Sequence, residues 1–200
     1  LSSSSAASDV YKRQHLDTGI FGTQFFFETL CDNGLNELAY EAMNKRDYPS
    51  FGWWIEQGAT TTWEQWNGEN SRNHPMFGGS LVWFYRRVAG MNADPSRPGY
   101  RHIVFRPVPP DSLTFARYDK ETPYGEASIE WRRTDGRFEM TVQVPVGCTA
   151  TVWVPGARSS DSVSTDVGRA GRDKNLSFEG IRDGYAVYEV RSGRYGFRVE

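Results

Sequence analysis

The chain has 200 residues, enough for one large domain or two small ones. Its 23 Lys and Arg against 25 Asp and Glu leave a formal charge of -2, with no electrostatic reason to expect nucleic acid or an anionic membrane as partner. No run of about 18 apolar residues occurs, so no transmembrane helix is expected.

Aromatic residues are abundant: 7 Trp, 10 Tyr and 12 Phe. At near-neutral charge this suits a carbohydrate binder, since sugar rings present apolar C–H faces to flat side chains, although most aromatics are expected in the core. Cys31 and Cys148 are the only cysteines. Two residues so far apart build neither a disulfide framework nor a zinc site, and they are expected to be buried thiols. No cofactor is implied.

In chain order, residues 1–14 open with Leu1-Ser2-Ser3-Ser4-Ser5-Ala6-Ala7-Ser8, a low-complexity stretch without apolar periodicity. It lacks the basic and apolar regions of a signal peptide and reads as an adapter-like leader ahead of His15. Gly22 to Cys31 is an apolar, aromatic helix. Leu35, Leu38, Ala39, Ala42 and Met43 then mark one face of a second helix, with Asn33-Gly34 as the turn of an antiparallel pair. The segment from Asp47 to Pro75 has little periodicity yet holds Trp53, Trp54, Trp63 and Trp66. Disordered segments are poor in aromatics, so a functional loop is the better reading. Phe77 to Met91 is a third helix with Leu81, Phe84, Tyr85 and Val88 as its stripe, stopped by Gly90.

Asp94-Pro95-Ser96-Arg97-Pro98-Gly99 breaks the helical texture and reads as a domain boundary. Beyond it, alternation predicts strands at His102–Phe105, Leu113–Arg117, Ala127–Arg132, Phe138–Val144, Thr149–Val154, Tyr185–Val190 and Tyr195–Val199, with Thr134-Asp135-Gly136-Arg137 as a hairpin turn. Gly156 to Lys174 is a polar loop. Short strands at this spacing imply an antiparallel sandwich. The fold class is therefore α+β in two parts, helices over 15–97 and a β-sandwich over 98–200.

The residues dense in chemistry are Tyr48-Pro49-Ser50, then Gly58-Ala59-Thr60-Thr61-Thr62-Trp63-Glu64-Gln65-Trp66, then Asn73-His74. Glu64 stands between indoles among uncharged polar residues. Partial desolvation would make that carboxylate a better base, whereas the plainer reading is a Glu that caps a backbone turn. Trp66 either lines a pocket or packs the loop.

These three blocks, with His15-Leu16-Asp17-Thr18-Gly19 and the closing Ser192-Gly193-Arg194-Tyr195-Gly196-Phe197, resemble the α-L-rhamnosidases of glycoside hydrolase family 78 over about residues 15–200. The resemblance implies the last helices of an (α/α)₆ barrel followed by a β-sandwich, and hydrolysis of terminal α-L-rhamnose with inversion. It makes Glu64 the general base and His74 a residue that binds the sugar, with Trp66 beside it; Glu64 to His74 is a shorter stretch than in many members. The partner would be a rhamnose-containing glycan or glycoside. Nothing here matches the family's general acid, and three helices are too few for the barrel, so the chain reads as a carboxy-terminal fragment that lacks the amino-terminal barrel portion and is inactive alone. The alternatives are another inverting (α/α)₆ glycosidase and a carbohydrate-binding module. A binding sandwich would expose Trp or Tyr on its strands, whereas Trp131 and Trp153 read as core.

Overall fold

The computed structural model describes Leu16 and residues 18–159, 162–166 and 174–199. The leader over residues 1–14 lies outside the described residues, as do His15 and Asp17. Two compact units are present, Leu1–Trp83 and Phe84–Glu200. Among the described residues no helix is long and apolar enough to cross a membrane.

In the first unit, α1 (Thr23–Asp32) and α2 (Asn36–Met43) are joined at Asn33-Gly34-Leu35, where Leu35 N–H donates to the Leu30 carbonyl at 2.8 Å. The buried residues of α2 are Asn36, Ala39 and Ala42, not Leu35, which is 46% exposed. Asn36 is drawn inward because its Oδ1 accepts the Trp83 indole N–H at 2.8 Å, a partner 47 residues away.

The aperiodic reading of Asp47–Pro75 is corrected in one place. Phe51–Glu56 forms a short helix, α3, capped by Ser50, whose buried Oγ accepts from Trp53 N at 3.0 Å. Six residues are too few for periodicity to register. The third predicted helix is also corrected. Pro75–Ser80 is a 3₁₀ helix, Leu81–Trp83 (α4) is α-helical, and Phe84–Ala89 widens to a π-helix. The changing residues per turn defeat a fixed spacing of three and four. Trp83 and Val88 are buried, while Leu81 and Tyr85 are 47% and 46% exposed.

The second unit is an eight-stranded system: β1 (Met91–Ala93), β2 (His102–Phe105), β3 (Phe115–Thr122), β4 (Gly125–Thr134), β5 (Arg137–Pro155), β6 (Val163–Thr165), β7 (Leu176–Arg182) and β8 (Tyr185–Val199). Asp94–Gly99 connects β1 to β2, which pair antiparallel. Two predicted strand pairs are each one long strand. β5 absorbs Phe138–Val144 and Thr149–Val154, with a register shift between them, and β8 absorbs both carboxy-terminal strands. Each half of β5 pairs with a half of β8, so this ladder runs the length of the sheet. β4 and β3 continue the sheet from the first half of β5, β2 and β1 from the second half.

The sheet is not wholly antiparallel, because β2 and β5 run parallel. A parallel pair needs a crossover, and the β3–β4 hairpin lies within that connection. The strand predicted at Leu113–Arg117 occupies Phe115–Thr122. β7, and β6 within the predicted polar loop, add edges that the pattern did not mark.

Trp131 is fully buried, its indole N–H donating to the Val88 carbonyl at 2.8 Å. Trp153 is only half-buried, which corrects its reading as core. It stands on the face of β5 opposite the fully buried Val152 and Val154. Gly90 ends the π-helix with φ +86, and a Cβ there would lie 2.2 Å from Pro107 N. Cys31 and Cys148 are free and buried, and burial pushes the Cys148 thiol up.

His102 is 1% exposed on β2, with Nδ1 2.6 Å from Thr149 Oγ1 and Nε2 2.9 Å from Thr151 Oγ1. Burial first, and the Arg97 charge second, hold its pKa below 6.5, against the opposing pull of Glu189 and Asp94. Above that value the ring is neutral folded or unfolded, and the stabilisation is fully present. As pH falls below it the unfolded chain takes up the proton first, so stability declines. Urea unfolding followed from pH 7.5 to 5.5 is expected to show that decline, and a shallower one in His102→Gln.

Candidate active site

The segment after α3 has little regular structure, so its order comes from side chains. Trp54 and Trp63 are buried with Phe77, and Ile20, Phe51, Trp53, Ala59 and Trp66 pack against them. All four tryptophans of the segment thus share one cluster. Trp66 lies 4.4 Å from Trp54 and 4.5 Å from Phe77 by ring centroid. The Trp54 indole N–H donates to the Trp66 carbonyl at 2.9 Å, tying the loop to α3.

Two reciprocal clamps then close the loop on itself. Glu64 N donates to the Ser71 carbonyl at 2.8 Å, and Ser71 N donates back to Glu64 Oε2 at 3.1 Å. His74 N donates to the Thr62 carbonyl at 2.8 Å, and Thr62 Oγ1 donates to the His74 carbonyl at 2.6 Å. Thr61 Oγ1 also donates to the Arg72 carbonyl. The arms 61–64 and 71–74 therefore lie side by side, bringing Glu64 and His74 onto neighbouring rungs.

Glu64 is half-buried and does cap a turn, but through Oε2 alone. Oε1 has no hydrogen bond among the described residues. His74 Nδ1 and Trp66 Nε1 are buried with no partner among the described residues. Buried polar atoms are rarely left unpaired, so each points to a group that completes it, a water or a ligand hydroxyl. Trp66 both packs the loop and offers such a donor.

Sequence reasoning missed Arg72. Its guanidinium lies 4.8 Å from the Trp63 ring centroid, and its Nε donates to the Gly68 carbonyl at 3.1 Å, bracing the loop on either side of Glu64 in sequence. No local pattern marks such a pairing. The cap at Ser50 was missed as well, although a serine directly ahead of an apolar run is the signal that marks one. Among the described residues no group of three or more His, Cys, Asp or Glu side chains could hold a metal ion.

Residues 3–88 match the bacterial alpha-L-rhamnosidase 6 hairpin glycosidase domain, and residues 90–169 the bacterial alpha-L-rhamnosidase C-terminal domain. An alpha-L-rhamnosidase of Streptomyces avermitilis is 36% identical over 199 residues, covering 94% of this chain and 18% of that protein. One from Formosa agariphila is 35% identical over 81% of this chain and 18% of its own length. Among solved structures, the alpha-L-rhamnosidase from Dictyoglumus thermophilum superposes with a TM-score of 0.82 at 39% identity, over 93% of this chain and 21% of that one. The S. avermitilis enzyme complexed with L-rhamnose gives 0.83 at 34% identity, over 98% and 19%. The chain spans about a fifth of the length of these relatives.

Trp54→Phe keeps the ring packing but leaves the Trp66 carbonyl without its donor, at a cost of about 1–3 kcal/mol. Chemical denaturation should register that loss, and amide exchange over residues 64–71 should accelerate.

Proposed function

Because the chain belongs to the bacterial alpha-L-rhamnosidase family, we propose that it is the carboxy-terminal part of a glycosidase that hydrolyses terminal α-L-rhamnose with inversion, with Glu64 as general base. The observation that carries this reading is the clamped loop. One oxygen of Glu64 is engaged by Ser71 N–H; among the described residues the other is unengaged, and the buried His74 Nδ1 and Trp66 Nε1 of the same short segment have no partner.

In single displacement a carboxylate removes a proton from water as that water attacks the anomeric carbon, while a carboxylic acid on the opposite face protonates the departing oxygen. Glu64 Oε1 takes the water's proton. The Ser71 N–H on Oε2 holds the carboxylate in one rotamer, so its basic lone pairs are aimed before substrate arrives. His74, fixed at its backbone by Thr62, binds a sugar hydroxyl through its ring. The acid belongs to the rest of the whole protein, and residues 15–97 to the end of its (α/α)₆ barrel, with the sandwich from about residue 98.

In the whole enzyme Glu64→Gln retains shape but not basicity, so kcat on an aryl rhamnoside should fall about 10²–10⁴-fold while rhamnose binding persists. Near wild-type turnover would remove Glu64 from the base role. His74→Ala should raise KM and leave both limbs of the pH–rate profile in place, because it withdraws binding rather than a proton. The 200-residue chain alone should release no rhamnose, since inversion needs two carboxyl groups ~6.5–9.5 Å apart. Turnover abolished by Glu64→Gln would place the acid within these residues instead.

A further inference from the structure

The half-buried Trp153 lines a groove on the sheet. It stands on the outer face of the second unit, in a groove of about 360 Å³ that crosses β2, β5, β8 and β7. Short side chains, Val104, Thr151 and Val187, lie in the middle of these strands, and the larger Trp153 and Arg106 line the groove beside them. The size lies within the range of small-molecule sites.

The indole is held in place. Arg106 lies 4.3 Å from its ring centroid, and Tyr185 meets it edge-on at 5.9 Å. That Arg106 guanidinium also lies 5.3 Å from the Tyr185 ring and bonds Asp183 at 3.4 Å, so it is already engaged. The carboxylate of Glu189 is held too, by a relay from the buried His102. Thr151 Oγ1 donates to Glu189 Oε1, so it must accept from His102 Nε2–H. His102 Nδ1 is then an acceptor for the Thr149 hydroxyl. A neutral ring of one tautomer thus orients Thr151, and through it Glu189. At the β7 side of the groove Glu179 and Arg182 are exposed with no hydrogen bond or ion pair among the described residues.

A fixed indole beside a pre-oriented carboxylate is the chemistry of pyranose recognition: a ring C–H face against the aromatic, and adjacent hydroxyls donating to carboxylate oxygens. We propose that this groove is a carbohydrate-binding site in its own right, taking a neutral pyranose or short neutral oligosaccharide with Trp153 as its wall and Glu189 and Glu179 as hydroxyl acceptors. Neutrality follows from charge. Asp94 is held by Arg97 at 2.9 Å and Arg106 by Asp183 at 3.4 Å. Among the described residues the remaining charges of the groove are the carboxylates of Glu179 and Glu189 against the one cation of Arg182, so a uronate is disfavoured. The site is independent of the 61–74 loop and does not rest on Glu64 being the base.

The test uses the 200-residue chain, labelled so that its tryptophan indole N–H groups are seen by NMR. It is titrated with methyl α-L-rhamnopyranoside, maltotriose and xylotriose, and with trigalacturonate as the acidic counterpart. At least one neutral sugar should shift the Trp153 indole saturably, and trigalacturonate should not. Trp153→Ala should abolish binding. Glu189→Gln and Glu179→Gln, which keep the sheet face intact, should each weaken it about tenfold, whereas Glu64→Gln should leave it unchanged. The proposal fails if no neutral sugar shifts that indole, if trigalacturonate is preferred, if both carboxylate variants bind like the parent, or if Glu64→Gln removes the response.

Discussion

The second unit depends on one ladder, the pairing of β5 with β8. Phe138–Val144 runs against Val199–Gly193, and Thr149–Pro155 against Arg191–Tyr185, with the register broken between Val144 and Thr149. A strand that long does not stay flat, and the irregularity at Pro145-Val146-Gly147 bends it between its two paired halves. Every other strand attaches directly or through a neighbour to this ladder. The alternating burial along β5 supplies the apolar interior, with Val142, Ala150, Val152 and Val154 fully buried. The opposite face, with Thr151 and Trp153, is thereby turned outward.

The first unit meets the same requirement by other means. Its loop after α3 has few backbone ladders, yet buried backbone groups need partners. Indole packing excludes water from one side of the loop, and the Thr62–His74 and Glu64–Ser71 exchanges satisfy its arms. Such a segment is ordered without being regular. A carboxylate can therefore be held in place and still keep one oxygen unengaged, which neither a helix face nor a solvated loop provides as readily.

Much of this was legible. Helices ahead of strands, the α1–α2 pair, the hairpin at Asp135-Gly136, β2 and the burial of Cys31, Cys148 and Trp131 follow from periodicity and turn chemistry that act over a few residues. The dense segment from Tyr48 to Gly78 was identifiable because four tryptophans in an aperiodic stretch have few explanations. What eluded the sequence were features without local cause: the π-widening at Phe84–Ala89, the fusion of predicted strands into β5 and β8, and the parallel β2–β5 pair.

The sequence by itself determined which residue types stand near one another along the chain: Glu64 between indoles, His74 ahead of a proline, alternating strands after residue 100. Only the tertiary structure decided which atoms are engaged. Asn36 is buried because Trp83 reaches it, Arg72 braces Trp63, and the indole N–H of Trp66 has no hydrogen-bond partner among the described residues. Trp153 carries the same alternating signature as its buried neighbours yet faces outward, because side-chain alternation defines two faces without saying which one is covered. That depends on where β8 and β7 return, contacts that lie 20 to 50 residues away.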